Sequence, residues 1–268
     1  MDAARTLAAT AHARLTVLTV LPPRGNGSGT AGGLITRLHP DDRASADYQR
    51  FLAWLGPERG DGLARRPEIA VAFGVAGIEI GRVAGLRAAD LVVLGRRSRG
   101  PHHRLILGET ADALVRRSPT PALFVPEEVR EIRRMLVALD GTERCMKVLE
   151  SVLELAPVLG AMAIASVTVE PLLGDEASGP PPPARGRSLQ LGEALPRYAS
   201  LARSVGPIPL SVRRGDVVEE VLREIARWGA DLLAVGYRRG GPPKLVGPTE
   251  IARNLLYAAP CAVLTVPL

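Results

Sequence analysis

Short apolar runs alternate with stretches of helical periodicity along most of the chain. Leu91–Leu94 is a continuous apolar run, which is typical of a strand buried on both faces of a parallel sheet. Asp42–Leu55 instead places Tyr48, Phe51 and Leu55 on one face of a helix. Strands and helices in regular alternation indicate parallel sheets connected by right-handed crossovers. The pattern therefore predicts an α/β fold.

The same criteria divide the whole chain into elements. The predicted strands are Leu15–Leu21, Ile69–Phe73, Leu91–Leu94, Ala122–Val125, Arg134–Leu139, Ile164–Val169, Leu210–Arg213, Leu232–Val235 and Cys261–Val266. The predicted helices are Asp2–His12, Asp42–Leu55, Ile78–Leu86, Thr110–Arg117, Glu143–Leu159, Ser188–Arg203, Val217–Trp228 and Thr249–Tyr257. Residues 24–40 and 170–187 are rich in Gly, Ser or Pro and are predicted to be loops.

The chain contains an internal duplication. The stretch ADLVVLG at residues 89–95 returns as ADLLAVG at residues 230–236, an offset of 141. The same offset pairs Gly74 with Gly215 and Glu109 with Glu250, and an offset of 148 pairs residues 13–23 with residues 161–171. A difference of seven residues in one loop accounts for the change of offset. The duplication predicts two α/β domains, residues 1–130 and 131–268.

The first half lacks part of the repeat. Under the offset of 148 it has no counterpart of residues 133–148, which are the first strand, the Asp-Gly-Thr after it and the first turns of a helix. Loss of an interior strand exposes unpaired backbone groups on both of its neighbours. Either Met1 lies within a longer reading frame, or the half is truncated and its remaining strands close the gap. We favour the first explanation.

Charge and composition narrow the functional classes. Residues 1–130 carry 18 Arg against 13 acidic residues, so most of the net charge of +6 lies in this half. A basic excess suits nucleic acid, but aromatic residues make up only 3% of the chain and offer few stacking platforms, so nucleic-acid binding is not favoured. Cys145 and Cys261 lie far apart, which predicts buried thiols in a reducing compartment. No apolar run reaches the roughly 20 residues of a membrane helix, and no export signal precedes the first helix, so a soluble, cytoplasmic protein is predicted.

Residues 91–110 combine a strand, a glycine, a basic loop and the start of a helix. Gly95 ends the strand and Gly108 begins the helix. A glycine turn followed by a basic loop and a helix N-terminus is typical of a phosphate-binding site. The loop holds four arginines, a residue type that suits phosphate but is also common on solvated surfaces, namely Arg96, Arg97, Arg99 and Arg104. Ligands of parallel sheets bind beyond the carboxyl ends of the strands, where Asp140 and the loop after Gly236 both fall.

These motifs resemble the universal stress protein family in its tandem two-domain form, over the whole chain. The resemblance rests on MLVALDGT (135–142), on GDVVEEVLREIARWGADLLAVG (215–236), and on the final strands SPTPALFVP and APCAVLTVP. It implies two flavodoxin-like, parallel-sheet domains in tandem, the first without its N-terminal strand. It also implies that the halves pack as a pseudo-dimer through their last strands. Many members bind ATP, with an Asp after the first strand for adenine and a loop G-x2-G-x9-G-[S/T] for ribose and phosphates.

The first half departs from that loop. Gly95 and Gly108 stand at the first and third glycine positions, 13 residues apart as the pattern requires. Ser98 takes the place of the second glycine and Glu109 that of the hydroxyl residue, while Arg97 is the neighbouring candidate for a phosphate contact. A carboxylate at the hydroxyl position repels phosphate, although it also suits a helix N-terminus.

The second half departs further. Gly236 is kept, but Arg239 replaces the second glycine, Thr249 the third and Glu250 the hydroxyl residue. Gly247 serves as the third glycine only if the loop is two residues shorter.

Asp140 is the best candidate for adenine recognition by the resemblance, and its alternative role is to cap the helix near Glu143. We expect ATP or AMP binding to be weak or lost, with any remaining site formed by Asp140, Gly236, Arg238 and Thr249. No metal site and no catalytic constellation is predicted. The sequence therefore predicts a non-enzymatic stress-response module. A genuine ATP binder, a basic adaptor for nucleic acid or an acidic partner, and homo-oligomerisation stay open.

Overall fold

The computed structural model describes residues 2–22, 43, 45–55, 67–96, 109–127, 131–170, 198, 206–238 and 248–268. The predicted helix at 188–203 and the predicted loops at 24–40 and 170–187 fall almost wholly outside these ranges. The chain forms two compact units, Met1–Leu91 with Gly108–Thr120, and Val92–Leu107 with Pro121–Leu268. Strands contributed by the first repeat therefore belong to the second unit.

The first unit holds one pair of parallel strands and four described helices. Its elements in chain order are α1 (Asp2–Thr10), β1 (Thr16–Leu21), α2 (Ala46–Leu55), β2 (Glu68–Phe73), α3 (Ala76–Leu86) and α4 (Glu109–Arg117). Strand β1 pairs with β2 along its whole length. Phe51 and Leu55 of α2 pack on Val17 of β1, as the helical spacing predicted.

Helices α3 and α4 pack at very short range. Three glycines, Gly77, Gly81 and Gly85, lie one turn apart on α3 and face the second helix. A Cβ atom on Gly77 would stand 2.3 Å from the Thr110 carbonyl oxygen and 2.6 Å from the Ala113 Cβ atom. Only a residue without a Cβ atom permits this approach. The glycine at position 77 therefore allows the backbones of α3 and α4 to come into close contact.

The second unit is built on a seven-stranded sheet. Its elements are β3 (Val92–Arg96), β4 (Ala122–Pro126), β5 (Arg134–Ala138), α5 (Met146–Leu159), β6 (Ala163–Glu170), β7 (Leu210–Arg214), α6 (Val217–Trp228), β8 (Leu232–Tyr237), α7 (Pro248–Ala258) and β9 (Ala262–Pro267). The strand order is β3-β4-β9-β8-β5-β6-β7. Within the second repeat β5 is central, as in a flavodoxin-like sheet, and the predicted fold class is confirmed.

The last strands of the two repeats pair with each other, as the resemblance implied. Strand β4 runs antiparallel to β9, with Leu123 opposite Leu264, while every other pair in this sheet is parallel. Thr265 is fully buried at this junction, and its hydroxyl donates to the Ala122 carbonyl at 3.2 Å.

The four described strands of the first repeat are divided between two sheets. Within the described ranges β1 pairs only with β2 and β3 only with β4, whereas their counterparts β6 and β8 lie on either side of β5. Among the described residues the first repeat thus lacks the strand that joins such pairs, in agreement with the sequence analysis.

A charged cluster attaches α6 to β7. The Glu224 carboxylate is buried, and it accepts hydrogen bonds from the Ser211 hydroxyl at 2.7 Å and the Arg213 Nε at 3.0 Å. Arg227 donates to the same carboxylate from one turn along the helix. These hydrogen bonds, that from Arg227 foremost, outweigh burial and lower the pKa of Glu224 to about 2. The carboxylate is therefore ionised at neutral pH.

Candidate functional site

The carboxyl ends of β5 and β8 lie side by side because the two strands are parallel, with Ala138 opposite Val235. Asp140 follows β5 by two residues, and Arg238 directly follows β8. Both residues are exposed. The structure thus places Asp140, Gly236 and Arg238 at one edge of the sheet, where parallel sheets bind their ligands.

The Asp140 carboxylate orders the turn after β5. Its Oδ1 accepts hydrogen bonds from the Thr142 N–H at 3.0 Å and from the Thr142 hydroxyl at 2.7 Å. Gly141 lies between them with a φ of 75°, in the left-handed region that favours glycine. The predicted helix at Glu143 begins as a 3₁₀ turn, Glu143–Cys145, whose N-cap Thr142 makes no side-chain cap. The alternative role of Asp140, local capping, therefore takes the form of a side-chain turn just before the helix.

The two thiols of the chain are unsuited to nucleophilic chemistry. Cys145 is buried beneath Asp140, and burial, followed by the negative charge of Asp140, raises the pKa of its thiol to about 11. Burial likewise raises the pKa of Cys261 to about 11, although the charge of Arg96 opposes the shift. At neutral pH both thiols are protonated, whereas the thiolate is the reactive form.

Gly236 is packed against the protein itself. A Cβ atom there would stand 2.7 Å from the Leu268 Cδ1 and 3.0 Å from the Val148 Cγ2. Leu268 is held in place by its N–H, which donates to the Tyr237 carbonyl at 2.9 Å. The glycine thus permits a close approach of the chain's own side chains.

Gly95 occupies the matching place at the end of β3 and has different surroundings. No described atom lies within 4 Å of a Cβ built at this position, and the residue is exposed. The remaining candidates of the first half, Arg97, Ser98 and Gly108, lie outside the described residues.

The candidates that precede α7 in the second half are only partly described. Gly247 lies outside the described residues, and Thr249 is the second residue of α7, with its side chain also outside them. Glu250 follows, and its carboxylate forms an ion pair with Arg253 at 3.3 Å, one turn further along the helix. The acidic side chain at the hydroxyl position is therefore engaged within its own helix.

Arg96 does not belong to the basic loop, contrary to its assignment from the sequence. It is the last residue of β3 and is 7% exposed. Its guanidinium donates to the carbonyl oxygens of Leu256 at 2.8 Å, Ala259 at 2.5 Å and Cys261 at 3.0 Å. Carbonyl groups at a helix C-terminus have no partner within the helix, so a fork of N–H donors satisfies several at once. The apolar run ends at Leu94, but the strand continues through Gly95 and Arg96, which pair with Val125 and Pro126 of β4.

Among the described residues, no three His, Cys, Asp or Glu side chains converge as metal ligands would. Within the same ranges, no helix has the length and apolar character to span a membrane.

The universal stress protein family model matches the chain twice, at residues 2–126 and 131–267. The chain belongs to the universal stress protein family, in tandem form. No curated protein matches the chain in a sequence comparison.

Solved structures show the same fold. A universal stress protein from Archaeoglobus fulgidus DSM 4304 superposes with a TM-score of 0.68 at 15% identity, covering 99% of this chain and 93% of that one. A putative universal stress protein from Pseudomonas aeruginosa UCBPP-PA14 superposes with a TM-score of 0.62 at 14% identity, covering 99% and 87%. At these identities the likeness concerns the fold alone.

Proposed function

We propose that this protein is a non-enzymatic regulatory module of the universal stress family in which nucleotide binding is weak or lost. Any residual site combines Asp140, Gly236, Arg238 and Thr249. The two halves act as a pseudo-dimer within one chain.

The packing around Gly236 carries the proposal. A glycine at the end of a strand serves phosphate binding by leaving the backbone accessible. Here the side chains of Leu268 and Val148 occupy the space in front of Gly236, where a phosphate group would have to approach the backbone. The two hydrogen bonds between Thr142 and Asp140 Oδ1 also compete with an adenine amino group for that oxygen.

A non-enzymatic role is supported by the chemistry of the same edge. The Cys145 thiol beside Asp140 is held protonated, and Glu250 is paired with Arg253. Neither group is poised as a nucleophile or as a general base.

Isothermal titration of ATP and of AMP into the purified chain tests the proposal. We expect no binding tighter than about 1 mM, which corresponds to about −4 kcal/mol. Micromolar affinity that is lost in Asp140→Ala and retained in Asp47→Ala, a half-buried aspartate of α2, would overturn it. Such a result would favour the second candidate, a true ATP-binding protein, which the common edge of Asp140 and Arg238 also permits.

A further inference from the structure

The side chain of Leu268 covers Gly236 from the surface of the protein. A Cβ atom on Gly236 would stand 2.7 Å from the Leu268 Cδ1 and 3.0 Å from the Leu268 Cγ, and the next nearest atom belongs to Val148. Val148 of α5 is fully buried, whereas Leu268 and Gly236 are only half-buried. The glycine is therefore enclosed by the core on one side and by a surface side chain on the other.

One backbone hydrogen bond holds Leu268 in this position. Strand β9 pairs with β8 as far as Pro267, which lies opposite Tyr237. One residue further, the Leu268 N–H donates to the Tyr237 carbonyl at 2.9 Å. Local opening at the end of an element costs far less free energy than global unfolding. Leu268 can thus leave Gly236 while β8 and β9 stay paired.

The first repeat has the same strand end without this contact. Glu127 is the counterpart of Leu268 at the offset of 141, and both residues follow a Val-Pro pair. Strand β4 pairs with β3 in the register that β9 keeps with β8. Glu127 is exposed, and no described atom lies within 4 Å of a Cβ built on Gly95. The closure of Gly236 therefore comes from the side chains of Leu268 and Val148 and not from the pairing of the strands.

We propose that Leu268 is an autoinhibitory contact that regulates the candidate site of the second half. In the closed state its side chain lies on Gly236. In the open state the side chain turns away, and a phosphate group of the ligand approaches the Gly236 backbone. This inference rests on the proposed function, because it explains the weak nucleotide binding expected of this site by closure.

The charge and the energetics of this edge agree with such a switch. The exposed Arg238 directly follows β8 and supplies positive charge that suits a phosphate group. A ligand that binds only the open state has an apparent dissociation constant equal to its intrinsic constant divided by the open fraction. Opening exposes the apolar Leu268 side chain to water, which is unfavourable and keeps the open fraction small. Truncation to alanine removes most of this contact, so the ligand no longer has to displace it.

Isothermal titration of ATP into the purified wild-type chain and into Leu268→Ala tests the proposal. We expect a dissociation constant above about 1 mM for the wild type and binding at least about tenfold tighter for Leu268→Ala. Leu86→Ala removes an exposed leucine of α3 and is the matched control, which should keep the affinity of the wild type. Circular dichroism checks that each variant is folded.

Two further variants test whether the gain arises at Gly236. Leu268→Met keeps an apolar side chain of similar volume, so it should bind ATP as weakly as the wild type. Gly236→Ala in the Leu268→Ala background places a Cβ where the phosphate group would approach, so it should reverse the gain. Should this double variant unfold, Leu268→Met and Leu86→Ala still decide the outcome.

Failure of this inference differs from failure of the proposed function. If Leu268→Ala binds ATP no more tightly than a weakly binding wild type, the closure by Leu268 is refuted and the proposed function is unaffected. Micromolar affinity of the wild type would instead refute the proposed function, and this inference with it. A gain that also appears in Leu268→Met or Leu86→Ala, or that survives Gly236→Ala, would refute the role of Leu268, because the affinity would then not depend on access to Gly236.

Discussion

At the scale of single residues, the two repeat glycines show how one sequence position acquires two structural roles. Gly236 and Gly95 both follow an apolar run of the same pattern. Gly236 is required by Leu268 and Val148, which stand within van der Waals distance of its missing side chain. Gly95 faces open space among the described atoms. The sequence alone assigns both glycines to a phosphate loop, because the packing partners are remote in the chain.

This contrast yields a paired prediction. Gly236→Ala forces a Cβ against the Val148 side chain and should destabilise the protein by about 1–3 kcal/mol, as overpacking does. Gly95→Ala should leave stability unchanged within about 0.5 kcal/mol, because no described atom lies within 4 Å of the added Cβ. Urea unfolding followed by circular dichroism measures both variants. Equal destabilisation of the two variants would contradict our account of Gly236.

At the scale of elements, helices α3 and α6 are repeat counterparts with different N-termini. Asp216 caps α6, since its carboxylate accepts a hydrogen bond from the Glu219 N–H at 3.0 Å. Val75 holds the matching position on α3, with a φ of −81° and a ψ of 117°, and makes no side-chain cap. The backbone of Val75 thus has the extended conformation of an N-cap without the acceptor.

We therefore predict that Val75→Asp stabilises the protein by about 1 kcal/mol, and that Asp216→Ala destabilises it by a similar amount. The added carboxylate would accept the Ile78 N–H and interact favourably with the helix dipole. Urea midpoints report the global effect, and hydrogen exchange of the Ile78 amide reports the local one. Val75→Leu, which adds no acceptor, is the control and should show no gain.

At the scale of the whole molecule, Arg96 connects the two repeats inside one sheet. It is supplied by β3 of the first repeat and binds three carbonyl groups at the end of α7 in the second. The antiparallel β4–β9 pair joins the strands of the two repeats in the same sheet. The arginine and the strand pair therefore both link the first repeat to the second.

Replacing Arg96 should accordingly destabilise this unit more than replacing a surface arginine. Arg96→Met leaves buried carbonyl groups without donors, at a cost of about 3 kcal/mol in the free energy of unfolding. Arg96→Lys restores part of it, because a lysine supplies fewer donors in a less suitable geometry. Arg133→Met, which breaks only an exposed ion pair with Glu131, is the control and should cost less than about 0.5 kcal/mol. A loss in Arg96→Met no larger than in this control would refute the role given to Arg96.

Sequence by itself determined the fold class, the duplication and most of the elements of this protein. Val217–Trp228 was predicted with its observed bounds, and the repeat offset alone predicted that the first repeat has no counterpart of β5, as holds among its described residues. These features are local or periodic, so they are written in consecutive residues. Tertiary structure decided the rest: that Arg96 is a buried donor to a distant helix end, that Gly236 is closed by Leu268, and that Asp231 binds the N–H groups at the start of β5. Each of these depends on partners at least thirty residues away in the chain, whose positions only the folded chain defines.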